Sequence, residues 1–262
     1  MTGIHPSAVV DSKAEIASDV VIGPFCVVEA EVEIGSGTKL ESHAVVLAGT
    51  KIGKRNVIGT GAVLGGDPQD RRYEGQRTSL EIGDDNVIRE FVTIHRSAIE
   101  GESTTVGNDC YLMSYCHLGH NCVVEDHVTM ANTCGISGHV TIEEYATIGG
   151  MTGVHQFVRI GRVSMIGGMS GITRDVPPFM LLEGRQHEVR DINAVGLRRI
   201  GIGQEGRMAL HKACKLLYKS QFALTHAMET VRREVKLTPE VEYLLSFEER
   251  RFKGKMGRGD QR

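Results

Sequence analysis

Large aliphatic residues recur at every sixth position along the first two thirds of the chain. Steps of six from Ile4 to Ile172 pass 29 positions, and 26 of these hold Ile, Leu, Val or Met. Neither an α-helix, with a period of about 3.6, nor a half-buried strand, with a period of about 2, requires this spacing. A parallel β-helix does, because each short strand and turn places one aliphatic side chain inward and successive coils stack these into ladders. The pattern therefore predicts a solenoid in which roughly 18 residues make one coil and coils lie about 4.8 Å apart.

A second inward position follows four residues after each aliphatic one and holds mostly small side chains. Five of the six cysteines occupy it: Cys26, Cys110, Cys116, Cys122 and Cys134. We interpret them as buried spacers that alanine or threonine could replace. No Cys-x-x-Cys spacing occurs, and disulfides are rare in the reducing cytoplasm.

The six-residue pattern ends near Pro177 and Pro178, which cannot donate to a strand ladder. Helical composition follows, and Thr238 with Pro239 forms a helix start in which threonine caps and proline takes the first position. We expect an all-β solenoid over residues 1–178, with a loop at 65–81, and a small C-terminal helical domain over residues 186–262.

Charge and hydropathy exclude several classes of protein. The formal net charge is −3, so no overall basic field favours nucleic acid. The sequence contains no run of about 18 apolar residues, so it predicts no integral membrane segment. The N-terminus does not resemble a secretory signal. We expect a cytoplasmic protein.

Interruptions of the repeat mark candidate binding loops. The first, GGDPQDRRYEGQRTSLEIG, carries Asp70 and Arg72. These residues could face a ligand, or the segment could be a tolerated surface insertion. The second interruption, around SAIEGESTT, has no distinctive residue.

Histidines cluster beside these interruptions. His120, His139 and His155 are 19 and 16 residues apart, which predicts one column over three coils, about 10 Å long at the strand spacing. His117 lies at the end of the preceding repeat. The group could be merely solvated, could form an open zinc site, or could supply a general base. The column is long for ligands that must lie about 2 Å from one ion, and a histidine can accept a hydroxyl proton at neutral pH.

Seven stretches, in order, carry a specific resemblance: QDRRYEG, IREFVTIHR, HLGHNC, SGHV, GGMTGVHQF, RDVPPF and KLLYKS. Together they resemble the family of UDP-N-acetylglucosamine O-acyltransferases, from IHPSAVV to at least KLLYKS. The resemblance implies a left-handed β-helix and a homotrimer with active sites between neighbouring subunits. It implies a 3-hydroxyacyl donor on acyl carrier protein, a UDP-sugar acceptor, no cofactor, and the first acyl transfer of lipid A biosynthesis.

The resemblance also implies roles for individual residues. His120 would be the general base, and the Gly138 amide would stabilise the thioester oxyanion. Substrate-binding positions would be Asp70, Arg72, His117, His139, His155, Gln156, Asn193 and Arg199. Gly168 matches the position that limits acyl length. From local charge we further expect that basic residues of the helical part dock the acidic carrier protein, the alternative being a merely solvated helix face: Arg198, Arg199, Lys212, Lys215, Lys219, Arg232 and Arg233.

Some positions depart from the family pattern. Asn121 stands where Asp is frequent, Arg72 where Lys is usual, Val195 where Glu is common, and Ile200 where a second Arg is common. Alternatives are a lipid A-pathway N-acyltransferase, a 3-amino UDP-sugar acceptor, a zinc-dependent γ-class carbonic anhydrase-like protein and a non-catalytic scaffold.

Overall fold

The computed structural model describes residues 3–183 and 188–261. Its first part consists of three sheets, which we call A, B and C in the order in which the chain enters them. The chain passes from A to B to C and back, and partners in most neighbouring strands are 18 residues apart, as in the pair Ile22 and Leu40. The predicted coil length is therefore observed.

Most strands are only two residues long, and parallel pairing joins the coils. Sheet A contains Gly3–Ile4, Val21–Ile22, Lys39–Leu40, Val57–Ile58, Val87–Ile88, Tyr111–Leu112, Thr129–Met130, Thr147–Ile148, Met165–Ile166, Met180–Glu183 and Glu188–Ile192. Sheet B contains Val9–Val10, Val27–Val28, Val45–Val46, Val63–Gly66, Thr93–His95, His117–Leu118, Gly135–Ile136, Gly153–Val154 and Gly171–Ile172. Sheet C contains Glu15–Ile16, Glu33–Ile34, Thr50–Ile52, Ser79–Ile82, Ser103–Val106, Val123–Val124, Thr141–Ile142 and Arg159–Ile160.

The core is a column of aliphatic side chains inside the prism formed by the three sheets. In a typical strand the second residue points inward, and Ile58, Ile88 and Leu112 are fully buried. The burial of these aliphatic surfaces is the main favourable term for the solenoid. All six cysteines are buried and free, as the repeat predicts for the five that lie in the β-helix.

Two asparagines inside the prism satisfy backbone groups between coils. Asn56 Oδ1 accepts the Asn86 N–H at 2.9 Å, and Asn86 Oδ1 accepts the Cys110 N–H at 2.8 Å. Their amide nitrogens donate to the carbonyls of Gly83 and Gly107. Both asparagines are fully buried, so each polar group needs such a partner.

Strand structure continues past the two prolines. The strand Met180–Glu183 pairs in parallel with Met165–Ile166 of sheet A. The strand Glu188–Ile192 then pairs in antiparallel fashion with Met180–Glu183. The expected domain start at residue 186 lies outside the described residues, as do residues 1, 2 and 262.

The C-terminal part is helical. Its elements are α1 (Ala194–Arg199), α2 (Gln204–Cys214), a π-helix (Lys215–Lys219), α3 (Leu224–Glu234) and α4 (Pro239–Lys253). Thr238 Oγ1 accepts the Val241 N–H at 3.4 Å and Pro239 takes the first position of α4, as predicted. No helix in the described part of the chain is long and apolar enough to cross a membrane.

The buried carboxylate of Glu143 fastens the helices to the β-helix. It accepts from Arg159 Nε at 2.5 Å and from the Tyr243 hydroxyl of α4 at 2.8 Å. The exposed fraction of Glu143 is 1%, so this charge requires its partners. The packing of α4 against the last coils therefore depends on a specific polar contact.

Candidate active site

Both interruptions of the repeat fall on the corner where the chain passes from sheet B to sheet C, which we call the B–C corner. The first lies between Val63–Gly66 and Ser79–Ile82, and the second between Thr93–His95 and Ser103–Val106. Leu64 still pairs with Ile94, and Ile94 with Leu118. The inserted residues therefore project as loops without disturbing the ladder, and they lie on the same corner as His120.

The side chain of Asn121 fixes the orientation of the His120 ring. His120 Nδ1 lies 2.9 Å from Asn121 Oδ1. The Asn121 amide nitrogen donates to Glu102 Oε2 at 3.0 Å and to Ser97 Oγ at 2.6 Å. Because a carboxylate only accepts, the NH₂ group must face Glu102 and the oxygen must face His120. Nδ1 therefore carries the proton, and Nε2 keeps the lone pair that a general base needs.

The backbone of Asn121 also suits its place. Its φ angle is 58°, in the left-handed region that asparagine tolerates better than most residues. Its N–H donates to Thr104 Oγ1 at 2.8 Å, and its Oδ1 also accepts the Ala98 N–H at 3.0 Å. Both polar atoms of the Asn121 side-chain amide therefore have hydrogen-bond partners.

Gly138 lies directly against the imidazole of His120. A Cβ atom at Gly138 would be 2.7 Å from both Nε2 and Cε1 of His120, so only glycine leaves this edge of the ring open. The Gly138 N–H donates to no acceptor within residues 3–183 and 188–261. A base nitrogen and a free backbone donor therefore share one small region of the corner.

His139 packs against His120 from the next coil. The two ring centroids are 5.1 Å apart with the rings nearly perpendicular, and Phe157 stacks on His139 at 4.7 Å. Burial, with a contribution from His120, lowers the pKa of His139. The third ring of this stack is therefore Phe157 rather than His155, so the three histidines do not form the single predicted column.

His117 lies on sheet B beside the corner. Its Nδ1 is 2.8 Å from Thr93 Oγ1, and its ring centroid is 5.1 Å from that of His95. Burial, and secondly the neighbouring His95, lowers the pKa of His117. The neutral imidazole is therefore favoured, as a hydrogen-bonding rather than a charged group.

Asp70 and Arg72 are paired with each other. Asp70 Oδ2 lies 2.8 Å from Arg72 Nη2, and Asp70 Oδ1 accepts the Arg72 N–H at 3.0 Å. These hydrogen bonds, together with the positive charge of Arg72, lower the pKa of Asp70. The Asp70 side chain is only 16% exposed, whereas that of Arg72 is 86% exposed. The first loop thus holds an ionised carboxylate on the His120 side of the corner.

Arg96 anchors this loop to the β-helix. Its guanidinium pairs with Asp67, donates to the hydroxyl of Tyr73 and donates to the Ala48 carbonyl at 3.1 Å. Sequence reasoning assigned no role to Arg96, nor to Ser97 and Glu102 of the second loop. The only feature of the sequence that could have pointed to these three residues is their position in or beside the interruptions of the repeat.

His155 and Gln156 are exposed on the following coil. His155 Nδ1 lies 2.7 Å from Arg258 Nη1, a residue of the C-terminal segment. The other predicted site residues, Asn193, Arg199 and Gly168, lie away from His120 within one chain.

Asn193 precedes α1 as its N-cap, Arg199 is the last residue of α1, and Gly168 lies at the corner between sheets A and B. Asn193 caps α1 by accepting the Gly196 N–H at 3.0 Å, and it donates to the Val163 carbonyl at 2.8 Å. Arg199 is exposed, and its side chain makes no hydrogen bond or ion pair within the described part of the chain. A Cβ atom at Gly168 would meet the Gly150 carbonyl oxygen at 3.1 Å. One subunit therefore does not bring these residues to His120.

No group of three or more His, Cys, Asp or Glu side chains in residues 3–183 and 188–261 is arranged to hold a metal ion. The His120 and His139 rings instead contact each other edge to face. The His120 ring and the backbone of Gly138 lie side by side at this corner.

Comparisons with known proteins agree with this geometry. Residues 175–257 match a family profile described as domain 2 of UDP N-acetylglucosamine O-acyltransferase, and residues 31–66 and 103–138 match bacterial transferase hexapeptide repeats. The chain is 45% identical to the acyl-[acyl-carrier-protein]--UDP-N-acetylglucosamine O-acyltransferase of Syntrophobacter fumaroxidans, over 93% of this chain and 95% of that protein. It is 41% identical to the enzyme of the same name from Thermodesulfovibrio yellowstonii, over 97% and 99% of the two chains.

Solved structures give the same result. The UDP-N-acetylglucosamine acyltransferase of Bacteroides fragilis superposes with a TM-score of 0.91 at 36% identity, over 94% of this chain and 97% of that one. The Arabidopsis UDP-N-acetylglucosamine acyltransferase superposes with a TM-score of 0.86 at 32% identity, over 96% and 98%. The predicted fold class, a left-handed parallel β-helix of hexapeptide repeats followed by a helical part, is confirmed.

Proposed function

Since the chain belongs to the UDP-N-acetylglucosamine O-acyltransferase family, we propose that it acylates the sugar 3-hydroxyl of UDP-N-acetylglucosamine. The donor is a 3-hydroxyacyl chain carried by acyl carrier protein, and the reaction is the first step of lipid A biosynthesis. The observation that carries this assignment is the fixed tautomer of His120, whose Nδ1 faces Asn121 Oδ1 at 2.9 Å.

The reaction needs one proton transfer in each half. His120 Nε2 takes the proton of the sugar hydroxyl while its oxygen attacks the thioester carbonyl carbon. The resulting oxyanion accepts a hydrogen bond from the Gly138 N–H, which has no other acceptor in the described part of the chain. The carbon–sulfur bond then breaks, and the departing thiolate takes the proton from His120. The products are the ester and the carrier protein thiol.

The surrounding polar groups are suited to hold the two substrates. The Asp70 carboxylate, kept ionised by Arg72, can accept hydrogen bonds from sugar hydroxyls. His117 and His139, both favoured in the neutral form, can orient the acceptor or the thioester. Gln156 and His155, exposed on the next coil, extend the same surface.

We propose a homotrimer as the active unit, located in the cytoplasm with its carrier protein. Asn193, Arg199 and Gly168 lie away from His120 within one chain, so they can serve the same reaction only at a site shared between subunits. Arg199 would bind the nucleotide phosphates, and Asn193 would hold α1 in place beside them through its capping bonds. Gly168, which lacks a side chain, would leave room for a longer acyl chain.

The decisive experiment is acyl transfer from defined acyl carrier protein thioesters to UDP-N-acetylglucosamine, with mass spectrometry of the product. We expect an O-linked 3-hydroxyacyl product and activity that survives treatment with a chelator. An amide product formed only from the 3-amino sugar would point to the other acceptor, and no transfer at all would favour a scaffold. Loss of activity with stoichiometric zinc removal would favour the metalloenzyme.

The variant that tests the mechanism is His120→Ala. Loss of a general base lowers the rate by roughly 10²–10⁴-fold, and the side chain lies outside the aliphatic core, so folding should be unchanged. His127→Ala is the matched control, because His127 is an exposed corner histidine that stacks on Tyr145 away from the site. Near wild-type turnover in His120→Ala would contradict the mechanism.

A further inference from the structure

The segment after α4 forms a small hairpin. The Arg258 N–H donates to the Lys255 carbonyl at 3.0 Å. Met256 and Gly257, between them, have φ angles of 56° and 71°, the two left-handed residues of a type I′ turn. Gly254 at the base of the hairpin is required, because a Cβ atom there would lie 1.9 Å from the Arg258 carbonyl oxygen.

Asp175 fastens this hairpin to the end of the β-helix. Its N–H donates to the Gly257 carbonyl at 2.8 Å, and its Oδ2 accepts the Gly259 N–H at 2.7 Å. Its Oδ1 accepts the Arg159 N–H at 2.8 Å. With an exposed fraction of 3%, the carboxylate is satisfied by backbone donors from both parts. The hairpin therefore has a defined position on the B–C corner.

This position brings the guanidinium of Arg258 to His155. Arg258 is 7% exposed; its Nη1 lies 2.7 Å from His155 Nδ1, and its Nε donates to Gln261 Oε1 at 2.6 Å. An arginine side chain can only donate. His155 Nδ1 must therefore accept, which places the imidazole proton on Nε2.

A second neighbour of His155 would require the opposite tautomer. The Gln156 carbonyl oxygen lies 3.1 Å from the same Nδ1, and it could be bound only if Nδ1 carried the proton. The two contacts exclude each other. The contact with Arg258 is shorter and is made by a charged donor, and such hydrogen bonds are roughly twice as strong as neutral ones. The Nε2–H tautomer is therefore the one that this environment selects.

We propose that Arg258 is a positioning residue that holds His155 as a hydrogen-bond donor to substrate. This inference rests on the proposed function. It gives the two histidines of the B–C corner opposite hydrogen-bonding roles at Nε2. His120 presents a lone pair at Nε2 because Asn121 accepts at Nδ1, whereas His155 presents a proton at Nε2 because Arg258 donates at Nδ1. The Nε2–H group of His155 can donate a hydrogen bond to an oxygen of the sugar nucleotide or of the acyl thioester.

The test combines spectroscopy with kinetics on the full chain. Nitrogen-15 NMR of labelled histidine, with His155 assigned through His155→Gln, reports which ring nitrogen carries the proton. We expect Nε2–H in the wild type and an Nδ1–H population, bonded to the Gln156 carbonyl, in Arg258→Met. Arg258→Lys keeps a donor and should keep the wild-type tautomer. Lys255→Met, an exposed change in the same hairpin, is the control.

Kinetics should change in parallel. We expect kcat/KM to fall by about 10- to 100-fold in Arg258→Met, the range observed for outer-shell partners of metal-bound histidines, and to fall less in Arg258→Lys. A rise in KM confined to the UDP-sugar or to the acyl donor identifies which substrate His155 contacts. Thermal unfolding checks each variant, and Arg258→Lys decides the question if Arg258→Met does not fold.

Three results would overturn the proposal: an Nδ1–H tautomer in the wild type, an unchanged tautomer in Arg258→Met, or a changed tautomer with unchanged kinetics. Wild-type protein that transfers no acyl chain would instead contradict the proposed function. In that case the NMR comparison would still decide whether Arg258 orients His155.

Discussion

Asn121 shows how one residue determines the chemical form of its neighbour. A carboxylate at this position would orient His120 through its charge, whereas the amide does so only if its oxygen faces the ring. Glu102 and Ser97 impose that orientation by accepting from the amide nitrogen. Two residues of the second loop therefore decide which end of the Asn121 amide faces His120.

This dependence predicts a coupling between Asn121 and Glu102. Asn121→Asp keeps an acceptor for His120 but places two carboxylates at the 3.0 Å separation of the present hydrogen bond. We expect lower activity and a lower free energy of unfolding. Adding Glu102→Gln should restore much of both, with a coupling energy of about 0.5–3 kcal/mol in a double-mutant cycle. The control cycle combines Asn121→Asp with Glu74→Gln, whose effects should simply add. Equally additive effects of Asn121→Asp and Glu102→Gln would argue against the assigned amide orientation.

We predict that the cysteines flanking the histidines serve packing and not catalysis. Cys116 and Cys122 are buried, and their thiols donate to carbonyls of the next coil at 3.1 Å. We expect Cys116→Ala and Cys122→Ala to retain kcat/KM and to lose about 1 kcal/mol of unfolding free energy. Cys134→Ala, the same slot in another coil, is the reference. If either change abolished turnover in folded protein, the packing role would be wrong.

At the scale of the element, the coils depend on polar contacts inside the prism as well as on aliphatic ladders. The interval between the paired strands around Asn56 and Asn86 is 30 residues, because the first loop is inserted there. The asparagine ladder spans this long coil and the next one. It supplies hydrogen-bond acceptors for the buried N–H groups of Asn86 and Cys110.

Asn86→Ala tests this contribution. The change leaves the buried Cys110 N–H and Gly107 carbonyl without the partners they have at 2.8 and 2.9 Å. Each orphaned buried group costs about 1–3 kcal/mol, so the free energy of unfolding in urea should fall by at least that amount. Asn108→Ala is the control, because Asn108 bonds the Asp84 N–H at an exposed corner where water can substitute. Equal losses in the two variants would contradict the ladder's importance.

At the scale of the whole molecule, we propose that the helical part supplies the surface that binds the carrier protein. Several of its cations are already engaged: Lys212 Nζ donates to the Glu234 carbonyl at 2.5 Å, and Arg232 pairs with Glu249. Lys215 and Lys219 are exposed and have no ion pair within the described residues. These two lysines are therefore the best candidates to meet an acidic partner.

Charge reversal at Lys215 and Lys219 should raise the KM for the carrier protein thioester and leave that for the UDP-sugar nearly unchanged. The effect should weaken with added salt, because exposed charges are screened beyond about 8 Å at physiological ionic strength. Lys13→Glu, at the opposite end of the β-helix, is the control. An unchanged donor KM at low salt would place the docking surface elsewhere.

The sequence by itself determined the solenoid. A period of six places an aliphatic residue inward in each strand, and this steric and hydrophobic requirement repeats in every coil, so it is visible without coordinates. The same period identified the cysteines as spacers, and local capping chemistry identified the start of α4 at Thr238 and Pro239. The family resemblance carried by HLGHNC and the other motifs singled out His120 as the candidate base.

Only the tertiary structure decided how the polar residues around the base are used. Asn121 reaches Ser97 across 24 positions, and Arg258 reaches His155 across 103. Asn193 serves as a helix cap, and Phe157 replaces His155 in the ring stack. Such contacts depend on where the inserted loops and the C-terminal hairpin come to lie on the stacked coils. They have no period along the chain, because each forms once between side chains that folding alone brings within hydrogen-bonding distance.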